Sequence, residues 1–350
     1  MLYRVIEASE LPKLLEAFMT SYELIAPVKR GRGYVFDIIS NLEDIELHYP
    51  STLSSPKKYI FPHEEVLFDF DAQHNEIVRR EEEVPQRVLF GLHACDINAI
   101  NRLDTALLEG KYCEPYYQVR RNNTLIVGIS CTPHEHCFCH LWGADEARKG
   151  YDLFLQDIGD KYLVSIASVE AANLLKAHCS PRVATDEDRI AFRQLTRKRQ
   201  ALFNKEIPDI QEVAMLMDAF HKDPFWEELG SRCLSCSACA AVCPTCFCFD
   251  IKDELDATGC KGCRKRKWDA CTSPEFALVA GGHNFRETAA RRVRHRFYHK
   301  LNGFLAKHDH MLCVGCGRCV KACKTNINPI EVLRFFEQKG LDEACVSKEG

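Results

Sequence analysis

A run of four cysteines with fixed spacing occurs twice in the chain. Residues 233–244 read C-L-S-C-S-A-C-A-A-V-C-P, and residues 313–323 read C-V-G-C-G-R-C-V-K-A-C. Both follow the pattern C-x2-C-x2-C-x3-C of bacterial two-cluster ferredoxins, in which the fourth cysteine of each run ligates the other cluster. The duplicated run therefore predicts a domain built around two [4Fe–4S] clusters.

The crossed arrangement assigns four thiolates to each cluster. The first cluster takes Cys233, Cys236, Cys239 and Cys323, and the second takes Cys313, Cys316, Cys319 and Cys243. Small residues between the ligands, such as Ser237 and Gly315, let backbone N–H groups approach the sulfurs, which raises the reduction potential. Lys324 stands where a proline usually follows the fourth cysteine, so the turn at that point is open to question although the ligation is not.

Zinc is the alternative metal for closely spaced cysteines. Structural zinc sites take four ligands from paired C-x2-C elements, and two runs of four cysteines do not match that count. A zinc-stabilised interaction protein nevertheless stays as a hypothesis from a different functional class. Iron analysis with visible absorption, set against zinc analysis, distinguishes the two.

Cysteine usage also predicts the compartment. Twenty cysteines are typical either of secreted disulfide-rich proteins or of intracellular metal proteins. The N-terminal residues carry charges throughout and lack the apolar region of a signal peptide, and no apolar run approaches the roughly 18 residues of a membrane span. We expect a cytoplasmic protein without a membrane span, and a net charge of −4 argues against nucleic-acid binding.

The pattern of apolar residues predicts an α+β protein in three parts. Residues 1–183 form an α/β domain, 184–228 a helical connection, and 229–350 a helical two-cluster ferredoxin-like domain. Helices are predicted at 9–20 and 96–108, the second capped by Asp96, and strands at 33–39, 87–92, 124–130, 151–156 and 162–168. In the connection, Thr185 and Asp188 resemble a capping box, and Pro208 begins a second helix.

Four cysteines of the first domain follow two of these strands. Cys95 comes directly after strand 87–92, and Cys131, Cys137 and Cys139 come directly after strand 124–130. If the two strands are parallel neighbours, both loops emerge at the same edge of the sheet, where sites in open α/β sheets form. The four thiols then suffice for a third cluster, with His93, His134 and His136 as neighbours or substitute ligands. The alternative is a set of buried free thiols.

A further group of cysteines follows the first motif. Cys246, Cys248 and Cys271, alone or with Cys260 and Cys263, could hold a fourth cluster or a zinc ion, and the isolated Cys113, Cys179 and Cys345 indicate no site. Two basic runs, Arg264–Lys267 and the arginines of 286–296, are interpreted as solvated helix faces combined with charge compensation for anionic clusters.

Several longer motifs carry a family resemblance. They are S-P-K-K-Y-I-F-P at 55–62, F-G-L-H-A-C-D-I at 90–97, Y-Y-Q-V-R-R at 116–121, G-I-S-C-T-P-H-E-H-C-F-C at 128–139, C-P-T-C-F-C at 243–248, A-G-G-H-N-F-R at 280–286 and C-V-G-C-G-R-C at 313–319. On these residues, nearly the whole chain resembles the β subunit of cytosolic NAD(P)-linked nickel–iron hydrogenases, or sulfhydrogenases. It is less closely similar to the iron–sulfur subunit of the anaerobic sulfite reductase.

The resemblance implies an electron-transfer subunit that catalyses nothing alone. Its expected partners are a flavoprotein that oxidises NAD(P)H and a catalytic subunit such as a nickel–iron hydrogenase. An anaerobic sulfite reductase or a complex linked to heterodisulfide reductase is the alternative assembly. The resemblance also favours the third cluster and includes Cys246, Cys248 and Cys271. A separate hypothesis is an enzyme that binds substrate at an open position on a cluster held by those three cysteines.

Overall fold

The computed structural model describes the backbone of residues 2–80, 83–203 and 210–346, and the side chains of 2–80, 83–203 and 214–340. The chain divides into two compact units. Unit 1 comprises Met1–Pro56, Pro85–Ile207 and Cys313–Arg318, and unit 2 comprises Lys57–Val84, Pro208–Leu312 and Cys319–Gly350. The three-part division stays a prediction about consecutive segments, whereas the compact units exchange two segments, Lys57–Val84 and Cys313–Arg318.

Unit 1 is built on a seven-stranded mixed sheet. Its strands are β1 (Leu2–Glu7), β2 (Glu23–Arg30), β3 (Gly33–Ile38), β6 (Arg87–Leu92), β7 (Thr124–Ile129), β8 (Leu153–Asp157) and β9 (Lys161–Ile166), and their order is β1-β9-β8-β7-β6-β2-β3. The neighbours β2–β6, β6–β7 and β7–β8 are parallel, and the outer pairs are antiparallel. The predicted parallel pairing of 87–92 with 124–130 is therefore confirmed.

Amphipathic helices cover this sheet. They are α1 (Leu11–Ser21), α2 (Ala94–Leu107), α3 (Pro115–Asn122), α4 (Val169–His178) and α5 (Asp186–Ala201). Helix α1 buries Leu11, Leu14, Leu15 and Phe18 in the main core cluster of unit 1, as its apolar spacing predicts. The capping box of Thr185 and Asp188 is confirmed at the start of α5.

The predicted cap of α2 is wrong. The helix begins at Ala94 with His93 as its N-cap residue, and Asp96 lies inside the first turn. Asp96 is buried and pairs with Arg318 instead of capping the helix. The predicted start of the next helix at Pro208 falls outside the described residues.

Unit 2 contains helices and a small antiparallel sheet. The helices are α6 (Ile210–Ala219), α7 (Phe225–Arg232), α8 (Ala238–Ala241), α9 (Ala289–Leu301), α10 (Leu305–His308) and α12 (Pro329–Val346), and the short helix α11 (Arg318–Ala322) begins at the last residue of unit 1. Trp226 of α7 packs against Phe297 and Phe336. This arrangement confirms the predicted α+β class, with an N-terminal sheet domain and a C-terminal ferredoxin-like region.

The sheet of unit 2 is absent from the sequence prediction. Its strands are β4 (Glu64–Asp71), β5 (Glu76–Arg79), β10 (Phe249–Leu255) and β11 (Lys261–Trp268), in the order β10-β11-β4-β5. The basic run Arg264–Lys267 therefore lies on a strand, and its interpretation as a helix face is wrong. Its charges pair across the strands: Arg264 contacts Asp253 at 2.7 Å and Arg266 contacts Glu65 at 2.6 Å. No helix in the described part of the chain is long and apolar enough to cross a membrane.

Candidate iron–sulfur centres

The cysteines assigned to the first cluster line one cavity of unit 2. Cys233 follows the end of α7, Cys239 lies in α8, and Cys323 follows α11. Together with Cys236 they surround the cavity. The structure thus brings Cys323, from the second motif, to the three cysteines of the first motif, as the crossed assignment requires.

Backbone N–H groups point at the sulfurs of these loops. The N–H of Ser235 donates to Cys233 Sγ at 3.4 Å, that of Ile327 to Cys323 Sγ at 3.3 Å, and that of Gly315 to Cys313 Sγ at 3.5 Å. Such bonds stabilise negative charge on sulfur. Gly315 acts as predicted, whereas the donor in the first motif is Ser235, two residues before Ser237.

The turn after each fourth cysteine is the same despite Lys324. Cys243 Sγ lies 3.4 Å from Thr245 Oγ1, and Cys323 Sγ lies 3.5 Å from Thr325 Oγ1. Each threonine follows its cysteine by two residues, so the repeated C-x-T pattern supplies this contact in both motifs. The substitution of lysine for proline leaves this geometry unchanged.

The cysteines assigned to the second cluster are divided between the two units. Cys313 and Cys316 belong to unit 1, and Cys319 and Cys243 belong to unit 2. The carbonyl of Cys313 accepts a bond of 2.7 Å from Arg102, whose side chain is buried. The common ligation of these four thiols stays a prediction.

The four N-terminal cysteines meet at the edge of the sheet of unit 1. Cys95 lies in the first turn of α2 after β6, and Cys131, Cys137 and Cys139 follow β7. All four line one small cavity. Because β6 and β7 are parallel neighbours, their carboxyl ends bring the two loops together, as the parallel-strand argument predicts.

The thiols of this N-terminal cavity differ in acidity. Burial raises the pKa of Cys95 well above its usual value and that of Cys131 to about 12. The hydrogen bond from Cys139, with a further contribution from His134, lowers the pKa of Cys137. Cys95 and Cys131 are therefore neutral thiols without metal, and metal binding must displace their protons.

Two histidines complete the wall of the N-terminal cavity. His93 and His134 line it, and within the described residues their Nε2 atoms are buried without a hydrogen-bond partner. Burial, then the positive charge of Arg318, lowers the pKa of His93 to about 3, so its ring is neutral. Thiols and unpartnered ring nitrogens facing one cavity fit a [4Fe–4S] cluster, whose sulfurs accept hydrogen bonds.

A buried ion pair supports the N-terminal cavity and was missed by sequence reasoning. Arg318 donates to both carboxylate oxygens of Asp96 at 2.7 Å and to Thr52 Oγ1 at 2.9 Å. Asp96 follows Cys95, and Arg318 follows Cys316 by two residues, so the pair fastens one ligand loop to the other. The signal was an arginine among the small residues of C-V-G-C-G-R-C.

A fourth set of thiols lies in unit 2. Cys243 and Cys246 pack in one buried cluster with Ala240 and Ala270. The hydrogen bond from Cys246 lowers the pKa of Cys243, and that from Cys271 lowers the pKa of Cys248. Cys246, Cys248 and Cys271 are thus brought together, as the sequence grouping anticipated.

The remaining cysteines have other contacts. Cys260 Sγ bonds the carbonyl of Thr258 in a hairpin turn, and Cys263 lies on β11 opposite Glu254. Cys179 is buried in the core of unit 1, and Cys113 is exposed. The side chain of Cys345 lies outside the described residues.

The spacing of the thiols bears on the choice between zinc and iron–sulfur. Among the side chains that the structure describes, no three of the types His, Cys, Asp and Glu are grouped to bind a single metal ion. Tetrahedral zinc needs its ligands within about 2.3 Å of one centre. A cubane cluster accepts one thiolate on each of its irons, so its ligands surround a larger volume. The lined cavities match the second requirement.

Comparison with known proteins gives the family. The sequence family described as "4Fe-4S dicluster domain" matches residues 232–327. The chain is 34% identical over 334 residues to "Sulfhydrogenase 2 subunit beta" of Pyrococcus furiosus, and the match covers 95% of this chain and 98% of the relative. The chain belongs to the sulfhydrogenase β-subunit family. No solved structure matches it.

Membership of the sulfhydrogenase β-subunit family bears on the cysteine sets unequally. The range 232–327 of the dicluster domain includes both C-x2-C-x2-C-x3-C runs, and also Cys246, Cys248 and Cys271. The N-terminal set of Cys95, Cys131, Cys137 and Cys139 lies outside that range, so its case rests on the convergence of the four thiols at the sheet edge.

Proposed function

We propose that this chain is an iron–sulfur electron-transfer subunit of a hydrogenase-type oxidoreductase complex. Two [4Fe–4S] clusters are held by the ferredoxin motifs with crossed fourth ligands, and a third by Cys95, Cys131, Cys137 and Cys139. The family membership and the dicluster domain support this function. When bound, such clusters accept and release single electrons.

One observation carries the proposal. In unit 1, Cys316 of the second ferredoxin motif packs in the same buried cluster as Cys95 and Cys139 of the N-terminal set. The N–H of Phe138 also donates to the carbonyl of Gly315 at 2.9 Å. Ligands of two expected clusters are therefore in van der Waals and hydrogen-bond contact, which is the arrangement that an electron relay requires.

Glycine at position 315 permits this contact. Gly315 has a φ of +65°, and a Cβ there would lie 2.6 Å from the carbonyl carbon of Phe138 and 2.7 Å from Cys139 Cα. Any side chain would force the two ligand loops apart. The chain's own contribution to electron transfer is this close, dry approach of the two loops.

The proposed partners follow from the chemistry of nicotinamide. NAD(P)H delivers a hydride, whereas clusters carry single electrons, so a flavin must lie between them. The chain has no G-x-G-x-x-G fingerprint after a strand. We assign the flavin to a partner flavoprotein and the terminal reaction to a catalytic subunit of nickel–iron type. A sulfite reductase or heterodisulfide-reductase assembly is the second candidate, and the cytoplasm is the expected compartment.

Reduction of the purified, flavin-free chain tests the function. We expect dithionite to bleach its visible absorption and NADPH or NADH to leave it unchanged, until a flavoprotein partner is added. A Cys137→Ser variant should contain about four fewer irons, at four per cubane, and should retain the signals of the ferredoxin-type clusters. Rapid bleaching of the lone chain by NADPH would overturn the relay role and favour an enzyme.

A further inference from the structure

Three cations of unit 2 are buried to an unusual degree. The exposed fractions of Lys57, Arg296 and Lys300 are 2%, 7% and 5%. Arg296 and Lys300 are one turn apart on α9, and Lys57 lies shortly before β4. Removing a cation from water is costly unless an anion compensates it, so negative charge is expected close to these three side chains.

The charged ends of all three side chains face the segment that contains Cys246. Lys57 Nζ donates to the carbonyl of Cys246 at 2.6 Å, and Lys300 Nζ donates to both the carbonyl and the hydroxyl of Thr245 at 3.0 Å. Arg296 Nη1 lies 3.9 Å from Cys246 Sγ. Their positive charge is thus concentrated at one group of thiols.

The electrostatic partners of these cations are thiolates. Burial lowers the pKa of Lys57, and negative charge on Cys246, Cys243 and Cys248 opposes that shift. Burial would also lower the pKa of Arg296, but charge on Cys239, Cys246 and Cys319 raises it well above its usual value. Neutral thiols or a disulfide would supply no such charge, whereas thiolates bound to iron do.

We propose that Cys246, Cys248 and Cys271 bind a further [4Fe–4S] cluster, and that Lys57, Arg296 and Lys300 compensate its negative charge. Three cysteines ligate three irons, so the fourth iron takes a ligand that is not one of these thiols. This site does not depend on the identity of the partner subunits. The hydrogen bond between Cys246 and Cys243 joins it to the ligand set of a ferredoxin-type cluster.

Metal content tests the site. We compare the anaerobically reconstituted full chain with Cys248→Ser and Cys271→Ser variants, using Cys263→Ser as the control because Cys263 lies on strand β11. Each of the first two variants should lose about four irons and about four sulfides, and the control should lose none. Unchanged iron, zinc in place of iron, or a Cys248–Cys271 disulfide in the reconstituted protein would overturn the proposal.

A second measurement needs no destabilising variant. A cubane held by three thiolates releases its fourth iron as Fe²⁺ when it gives one electron to ferricyanide, and a [3Fe–4S] cluster remains. We expect the EPR signal of that oxidised cluster in the wild-type chain and in Cys263→Ser, and its loss in Cys271→Ser. Mild oxidation that yields no such signal, or a signal that survives in Cys271→Ser, would contradict three-thiolate ligation.

The compensating charge has its own readout. Removal of a nearby positive charge favours the oxidised cluster, so Lys57→Gln should lower the midpoint potential of the cluster that Cys248→Ser abolishes. Lys58→Gln is the matched control, because Lys58 is the adjacent residue and is exposed. Equal potentials in Lys57→Gln and Lys58→Gln would remove the compensating role.

Discussion

At the scale of single residues, charge is arranged around sulfur. The arginines of residues 286–296 divide into exposed and buried members: Arg291 is exposed, whereas Arg292 and Arg296 are buried. Arg292 donates to Ser235 Oγ at 3.0 Å, within the first ferredoxin loop, and Arg296 donates to the carbonyl of Cys239 at 3.2 Å. The predicted mixture of solvated face and charge compensation therefore matches α9, although it is wrong for Arg264–Lys267.

Crossed ligation is the residue-level prediction. Cys323→Ser should perturb the cluster of Cys233, Cys236 and Cys239, because Cys323 lines their cavity. The EPR signal that changes should be the one abolished by Cys236→Ser, and the signal abolished by Cys316→Ser should persist. Cys113→Ser, which alters an exposed thiol, serves as the control. A match between the Cys323→Ser and Cys316→Ser spectra would show that each run ligates its own cluster.

Residue identity shows which parts of the site could be predicted. Thiol spacing predicted the ligand sets, because the short loops around a cluster fix the sequence separation of its cysteines. The cations Lys57, Arg296 and Lys300 could not be assigned in this way. They lie far from their thiols in sequence, and their position depends on tertiary packing that no local pattern encodes.

At the scale of elements, the parallel pair β6–β7 determines the N-terminal cavity. Both strands are almost entirely buried apolar runs, which is typical of central parallel strands and made them readable from sequence. The hairpin β10–β11 was missed because its strands are charged and exposed on most positions. Its pairing with β4 depends on a segment almost two hundred residues away.

Loop approach gives the element-level prediction. Gly315→Ala should destabilise the loop Cys313–Arg318, because Ala at positive φ costs about 1–2 kcal/mol and its Cβ would overlap the backbone of Phe138 and Cys139. Gly143→Ala is the control: its φ is +58°, with nothing within 4 Å of the added carbon. We expect a lower thermal midpoint and less N-terminal cluster in Gly315→Ala than in Gly143→Ala. Equal effects would show that backbone strain alone operates and that the loops tolerate separation.

At the scale of the whole molecule, the two kinds of stabilisation differ in origin. The seven-stranded sheet of unit 1 has a continuous apolar core under α1 and α4. The cysteine loops instead have few backbone hydrogen bonds and several residues with positive φ, among them Ser235, Ser237, Gly315 and Gly317. Metal–thiolate bonds are expected to supply the order that the ladder and the core supply elsewhere.

Removal of iron should therefore open the loops and spare the sheet. In hydrogen exchange after anaerobic chelation, we expect lost protection at 131–139, 233–248 and 313–319, because thiolate bonds hold these loops. Strands β2, β6 and β7 should keep their protection, since their amides are paired in a buried ladder. The reconstituted chain provides the reference, and readdition of iron and sulfide should restore the loops. Loss of protection across the sheet would mean that the clusters stabilise unit 1 as a whole, and unchanged loops would mean that the thiols hold no metal there.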